Sequence, residues 1–314
     1  MLIESAMNEE KAALLLNTGR YERGDNGELK IRYTAIDPAD KYVTCNCGKP
    51  DCWTKQLRPI REHIRSLIHT LSSCGAKELL DGGVDPWPGT LYSLQMAASI
   101  EDIFVDPSFI DESEAAFWCS SAWEYDEEQR EQASKYVAAL TVFNFVWIAY
   151  ESAIEDALGA SFSKDKLPVR ARKHLQGAND PDVTKIPAFS ASYKTAKHIS
   201  ERIAAIRPEI ADIEGKYKLN GAAAAAELVR IFRNHVVHGR DGTPLSTGST
   251  MVSHFYSMSR LLLLLVQIVA VHALREKGRN IPLSLVDDEK GDLPADKVLL
   301  NLHRPEDQWL TEAV

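Results

Sequence analysis

The sequence lacks the features that mark a secreted or membrane-spanning protein. Its first residues place Glu4, Glu9 and Glu10 among apolar ones, whereas a signal peptide begins with basic residues and an uninterrupted apolar run. The most apolar stretch, residues 261–273, is shorter than the roughly 20 residues that cross a bilayer. Five cysteines are an odd number for a fully paired disulfide framework. We therefore expect a cytoplasmic protein with no membrane association.

Positive net charge is also absent. The chain carries −9, which argues against a protein that coats nucleic acid indiscriminately. The charge is uneven, however, because residues 160–240 contain fifteen lysines and arginines against eight acids, while residues 101–131 contain eleven acids and one base. The basic surplus is typical of a phosphate-binding surface, although solvated helix faces have a similar composition. The acidic segment is expected to mark a domain boundary or to fold back onto the basic region. The residues predicted to contact RNA phosphates are Arg170, Arg172, Lys173, Arg230 and Arg240.

The hydrophobic pattern divides the chain into unlike parts. Residues 1–128 are predicted to form a smaller α+β domain, and residues 129–277 a helical bundle, so that the protein is mainly α. Residues 278–314 form a tail that is expected to supply short strands at 281–286 and 298–302. In the first part we predict strands at 28–36 and 41–44, a helix at 54–71 and a turn or rigid loop at 86–89. In the second part we predict helices at 135–158, 168–175, 190–206, 221–238 and 250–275.

The most informative motif closes the fourth of these bundle helices. Five alanines and an apolar stripe favour a helix from Gly221, and Gly239 is a typical residue to end it. Arg233, Asn234 and His238 then lie near that end, and Asn234 and His238, four residues apart, share a face. The motif therefore places a fixed cation, an amide and an imidazole together.

An Arg-Asn-x-x-x-His sequence that closes a helix in an all-helical region, followed by another long apolar helix, resembles the HEPN family of small helical-bundle proteins. The resemblance covers residues 129–276. Many HEPN proteins are metal-independent ribonucleases in which the Arg and His of two identical subunits meet in one cleft, and others are inactive or structural. The resemblance implies an antiparallel bundle, a homodimer, and Arg233 and His238 as the catalytic pair with Asn234 beside them. Some HEPN toxins also have a regulatory protein partner that silences them.

The arginine and histidine of the motif are suited to RNA cleavage independently of the resemblance to the HEPN family. RNA contains its own nucleophile, the ribose 2′-hydroxyl. A histidine exchanges protons near neutral pH, and the planar guanidinium of arginine matches phosphate oxygens. The alternative interpretation is that Arg233 and His238 only cap the negative end of a helix dipole. Glu151 lies in the mostly apolar stretch 140–152 of the helix 135–158 and needs a partner, which is either Arg233, His238 or an arginine outside the site such as Arg230.

Three cysteines near the N-terminus form a second motif. Cys45, Cys47 and Cys52 surround a Gly-Lys-Pro turn, which is typical of a structural zinc knuckle. A fourth ligand would come from His63, His69 or Cys74. The spacing also resembles the start of a SWIM zinc motif, which expects a histidine where this chain has Thr54. Unliganded thiols and a redox pair are alternative interpretations.

These observations lead to two functional hypotheses. The first is a HEPN-type endoribonuclease, a toxin or defence effector, that needs no cofactor for cleavage and acts through Arg233, His238, Asn234 and Glu151. The second is a non-catalytic HEPN-like module for dimerisation or partner binding. Retention of both Arg233 and His238 favours the enzyme.

Overall fold

The computed structural model is mainly helical, as the sequence predicts. It describes residues 21–24, 27, 29–31, 57–80, 85–100, 103–106, 115–159, 161, 164–177, 186, 188–213, 215, 221–237, 244–276, 281–284, 292–305 and 309. Its principal helices are α1 (Ile60–Leu80), α2 (Pro88–Ser99), α3 (Ser120–Leu158), α4 (Leu167–Gly177), α5 (Phe189–Ser200), α6 (Arg207–Ala211), α7 (Gly221–Val237), α8 (Pro244–Glu276) and α9 (Ala295–Asn301). Four short strands form two hairpins: β1 (Tyr21–Arg23), β2 (Leu29–Ile31), β3 (Pro282–Ser284) and β4 (Asp292–Pro294).

Helix α8 is the centre of the core. Its residues 261–266 and 268–271 are aliphatic and fully enclosed, because α3, α5, α7, α9 and α1 all pack against it. Both α3 and α8 are long and apolar enough to span a membrane by composition, but the apolar window of α8 is entirely buried inside the protein. The prediction that the apolar run forms a buried core helix is therefore confirmed.

Three phenylalanines join the helices that carry the motif. Phe143 of α3 lies 5.4 Å from Phe232 of α7, and both lie 5.8 Å from Phe255 of α8, measured between ring centroids. All three rings are buried, and rings at these separations attract one another edge to face. Because Arg233 directly follows Phe232, and Trp147 lies one turn after Phe143, this junction brings the motif helix against α3.

Helix α3 is longer than the sequence pattern indicates. It begins at Ser120 rather than Lys135 and runs for 39 residues, so the boundary predicted between residues 128 and 129 falls inside it. Its first turns are mostly exposed and acidic, and an exposed helix segment has no apolar periodicity to reveal it. Buried apolar residues from Ile60 to Trp309 form one continuous cluster, to which α1 and α2 also contribute.

Prolines explain two differences near the N-terminal helices. Helix α1 starts at Ile60, immediately after Pro59, rather than at residue 54. Residues 86–89, expected as a turn, instead include the start of α2, because Pro88 occupies the first helical turn, where its missing N–H costs nothing. Gly89 allows α2 to approach α3, since a Cβ there would lie 2.9 Å from the Ser152 hydroxyl oxygen.

The strand predictions are confirmed only in part. β2 falls within the predicted strand 28–36 and pairs antiparallel with β1 across a turn in which Gly27 has a φ of +78°. Residues 41–44 lie outside the described residues. In the tail, β3 falls within 281–286 but pairs with β4 of the same tail. Residues 298–301, predicted as strand, belong to helix α9, which packs on α8 and α1; a short apolar run does not distinguish the two structures.

Candidate functional site

The described part of the motif ends at Val237, so Arg233 and Asn234 are described and His238, Gly239 and Arg240 lie outside the described residues. Arg233 is half-buried, and its guanidinium carbon lies 5.6 Å from the centre of the Trp147 ring on α3. A cation at this distance from an indole face is attracted by the electrons of the ring. Asn234 is also half-buried, one position further along α7.

Glu151 lies one turn after Trp147 on α3 and is half-buried. Burial raises the pKa of its carboxyl group, while the charge of Arg233 and the Trp147 indole oppose the rise. The carboxyl group is thus within electrostatic reach of the motif arginine. Two of the four residues predicted as catalytic, Glu151 and Arg233, therefore belong to one group of side chains between α3 and α7, and Asn234 lies beside them in sequence.

A buried ion cluster lies two turns earlier on α7. Glu227 is fully buried and accepts hydrogen bonds from Arg230 Nε at 3.0 Å and Nη2 at 2.6 Å, and from Arg172 Nη1 of α4 at 3.1 Å. Two arginines predicted to contact RNA are thus held by one carboxylate. Glu227 was not among the predicted site residues, although a carboxylate within an alanine-rich apolar helix is a sequence signal for a buried charge that needs partners.

Tyr150 of α3 lies within electrostatic reach of both Glu151 and Glu227. Its ring is buried 5.9 Å from that of Trp147, and its hydroxyl has no hydrogen-bond partner among the described residues. Burial raises the pKa of Tyr150 well above its ordinary range, and the charges of Glu151 and Glu227 add to this. The phenol therefore stays protonated between two carboxylates. We call the set Arg172, Glu227, Arg230, Tyr150, Glu151 and Arg233 the arginine seam.

The other two described residues predicted to contact RNA lie outside the seam. Arg170 is buried and donates hydrogen bonds to the carbonyl oxygens of Ser161, at 3.0 Å, and Gly159. It holds the chain where α3 ends at Gly159, whose φ of +50° suits glycine. Lys173 is exposed and pairs with Asp165 at 2.6 Å. Arg170 is therefore engaged inside the protein, whereas Lys173 is accessible.

Of the four residues predicted to bind zinc, only His63 lies within the described residues. Cys45, Cys47 and Cys52 lie outside the described residues. His63 is fully buried on α1, where its Nε2 lies 2.6 Å from the Gln267 side-chain oxygen on α8. Burial lowers the pKa of His63 well below its ordinary value, and the charges of His303 and Arg260 add to this. Within the described ranges, no group of three or more His, Cys, Asp or Glu side chains is placed to hold a metal ion.

Two apolar residues close in sequence to Trp147 and Arg233 are exposed to solvent. Ile148 follows Trp147 on α3 and is exposed, and Val237, one turn after Arg233 on α7, is also exposed. The arrangement thus combines a stacked arginine, a carboxyl group with a raised pKa, and apolar residues in contact with solvent. Comparison of the chain with protein-family models, with curated proteins and with solved structures finds no match.

Proposed function

We propose that this chain is a metal-independent endoribonuclease of the HEPN type. The observation that carries the proposal is the position of Arg233, stacked on Trp147 within reach of Glu151, near the end of a helix after which His238 follows directly in the sequence. An arginine held in this way loses less side-chain freedom when it binds a phosphate. Asn234, next to it on α7, supplies a neutral hydrogen-bonding group.

In the proposed reaction, His238 removes the proton of a ribose 2′-hydroxyl, and the oxygen attacks the adjacent phosphorus. Arg233 neutralises the charge that develops on the non-bridging phosphate oxygens. The bond from phosphorus to the 5′-oxygen breaks, that oxygen takes a proton from water, and His238 returns to the solvent the proton that it removed. The products are a 2′,3′-cyclic phosphate and a 5′-hydroxyl. DNA is not cut, because it has no 2′-hydroxyl.

Glu151 orients the Arg233 guanidinium in this proposal. Burial raises the pKa of its carboxyl group and the charge of Arg233 opposes the rise, as expected for a carboxylate that lies near the guanidinium it orients. Arg172 and Arg230 keep part of their surface exposed while bound to Glu227, and they extend the phosphate-binding surface along the seam together with Lys173. We further propose a homodimeric toxin or defence effector that is controlled by a regulatory partner.

The alternative is a non-catalytic helical module for dimerisation or partner binding. The same contacts supply its support: the arginines of the seam are held by protein groups, as ions that stabilise a bundle would be. In that case Arg233 fastens α7 to α3, and Ile148 and Val237 belong to an interface between proteins.

Incubation of the purified protein with total RNA and a metal chelator distinguishes the ribonuclease from the non-catalytic module. We expect cleavage with 2′,3′-cyclic phosphate ends, and a loss of roughly 100-fold or more in the His238→Ala and Arg233→Ala variants. Arg65→Ala, which changes an exposed arginine on α1 outside the basic segment 160–240, is the matched control and should retain the parent rate. Equal cleavage by all four proteins would assign the activity to another site or to a contaminant and would favour the binding module.

A further inference from the structure

The start of α3 carries aromatic side chains that are exposed to solvent. Phe117 and Trp118, just before the helix, are 83% and 86% exposed, and Trp123 and Tyr125, in its first two turns, are 58% and 59% exposed. Single exposed aromatics are ordinary, but four within nine residues expose apolar rings on more than one side of this short stretch of chain. Such surfaces in soluble proteins usually bind a partner.

Carboxylates are interspersed with these rings. Glu124, Asp126 and Glu128 lie in the same turns of α3, within the segment 101–131 that contains eleven acids and one base. We call Phe117, Trp118, Trp123, Tyr125, Glu124, Asp126 and Glu128 the aromatic–acidic surface. It lies at the opposite end of α3 from Glu151 and is therefore distinct from the arginine seam.

The negative charge restricts what this surface can bind. RNA and anionic lipid bilayers are repelled by it, although both offer groups that aromatic side chains contact. The same surface of a second copy is repelled for the same reason. A cationic polypeptide is attracted both by the carboxylates and by the electron-rich faces of the rings.

The protein already contains one example of this recognition. Arg130, the only base of the acidic segment, has its guanidinium carbon 5.2 Å from the centre of the Phe104 ring, and its Nε donates to Glu127 Oε2 at 2.9 Å. Phe104 belongs to segment 103–106, which Val105 N attaches to Ser134 Oγ of α3. Here an arginine is held between a ring and a carboxylate, which is the pairing that the aromatic–acidic surface offers to an incoming chain.

We propose that the aromatic–acidic surface docks an arginine-rich segment of another polypeptide, independently of any nuclease activity. Arginine is favoured over lysine because its planar group stacks on a ring and binds a carboxylate at the same time. The expected contacts place guanidinium groups on Trp118 and Trp123, with Glu124, Asp126 and Glu128 at their edges.

The binding test uses a fluorescein-labelled peptide of alternating arginine and glycine, about twelve residues long, and a second peptide in which citrulline replaces arginine. Fluorescence anisotropy with the full-length protein should report binding of the arginine peptide only. Trp118→Ala and Trp123→Ala should each weaken it roughly two- to five-fold, the range for an exposed cation–ring contact. Tyr92→Ala, which removes a 64% exposed aromatic from α2, is the matched control and should change nothing.

Cys119 supplies an independent readout of position. Its thiol is exposed between Trp118 and Ser120, and the backbone N–H groups of Ala122 and Ser121 lower its pKa, so we expect it to be accessible to iodoacetamide. Mass spectrometry should show that the arginine peptide slows alkylation of Cys119 at least two-fold, whereas the citrulline peptide does not.

Equal binding of both peptides would overturn the proposal. So would an affinity for the arginine peptide that is unchanged in the triple variant Glu124→Gln, Asp126→Asn and Glu128→Gln. Unchanged alkylation of Cys119 in the presence of saturating arginine peptide is the third such result. Binding of an RNA homopolymer that depends on Trp118 and Trp123 would also overturn it. We expect the Trp118→Ala variant to cleave RNA at the parent rate. Peptide binding therefore tests the docking proposal and RNA cleavage tests the nuclease proposal, so either one can fail without the other.

Discussion

Glu151 and Arg233 face each other across α3 and α7, where the charge of the arginine opposes the rise that burial causes in the pKa of the carboxyl group. The charge of Arg233 does not fully offset the effect of burial, since the pKa of Glu151 stays above its ordinary value of 4.5. An ionised Glu151 is therefore held in the folded protein at a cost in stability. Residues kept despite such a cost are often those that serve a function.

The first prediction follows from this cost. A carboxyl group whose pKa is higher in the folded than in the unfolded state lowers stability as the pH rises above the unfolded value, because the native state must ionise it. Glu151→Gln should therefore melt at a higher temperature than the parent protein at pH ~7, and the difference should shrink towards pH ~4. The same variant should cleave RNA more slowly. Glu155→Gln, an exposed change on α3, is the control, and a less stable Glu151→Gln at neutral pH would contradict the argument.

The second prediction concerns the buried carboxylate of Glu227. Removing it in Glu227→Ala leaves Arg172 and Arg230 without the hydrogen bonds that they make to it. Breaking one partner of a buried ion pair costs about 3–5 kcal/mol, and urea denaturation should show a loss of this size. Glu209→Ala, an exposed glutamate on α6, should change the free energy of unfolding by less than about 0.5 kcal/mol. Equal midpoints for the two variants would show that Glu227 does not hold the seam.

The third prediction concerns assembly. If the proposed homodimer uses the face that carries Ile148 and Val237, a charge there should separate the subunits. Light scattering at about 20 µM should give a dimer for the parent and a monomer for Ile148→Glu. Tyr92→Glu, at a more exposed site on α2, should stay dimeric. A parent protein that is monomeric at this concentration would count against a composite catalytic cleft.

The fourth prediction uses the pH dependence of His63. Burial lowers the pKa of this histidine well below 6.5, so the native state resists a proton that the unfolded chain accepts. Its contribution to stability is complete above pH ~6.5 and is lost as the pH falls below it, by up to about 1.4 kcal/mol per pH unit. Denaturation of His63→Gln should show a flatter dependence between pH ~6.5 and ~5. His69→Gln, exposed on the same helix, should follow the parent curve; a His63→Gln curve parallel to the parent would refute the assignment.

The fifth prediction addresses the proposed zinc knuckle. Protein purified without added metal should contain one zinc per chain by elemental analysis, and Cys45→Ser or Cys52→Ser should lose it. Cys119→Ser, which changes an exposed thiol on another part of the chain, should keep it. Absence of zinc from the parent protein would end the idea, and zinc that persists in Cys45→Ser would place the metal elsewhere.

The helices that carry the motif were predictable because their sequences are unambiguous. The alanine run of α7 and the apolar run of α8 have strong propensity or continuous hydrophobicity over many residues. The start of α3 was not predictable from the sequence, because its exposed acidic turns have no apolar stripe. Helix α9 was not predictable either, because a short apolar run fits a strand or a helix equally well. Arg233 and Glu151 were found as separate candidates, whereas the pairing of Arg172 with Glu227 depends on a contact between residues 55 positions apart.

The length of α3 has a geometric consequence. Trp123 and Glu151 are 28 residues apart on this one helix, which separates them by about 42 Å at 1.5 Å per residue. The buried residues between these two positions pack the helix against α8, so the core fixes this separation. One rigid helix thus carries two surfaces that are too far apart to share a small ligand.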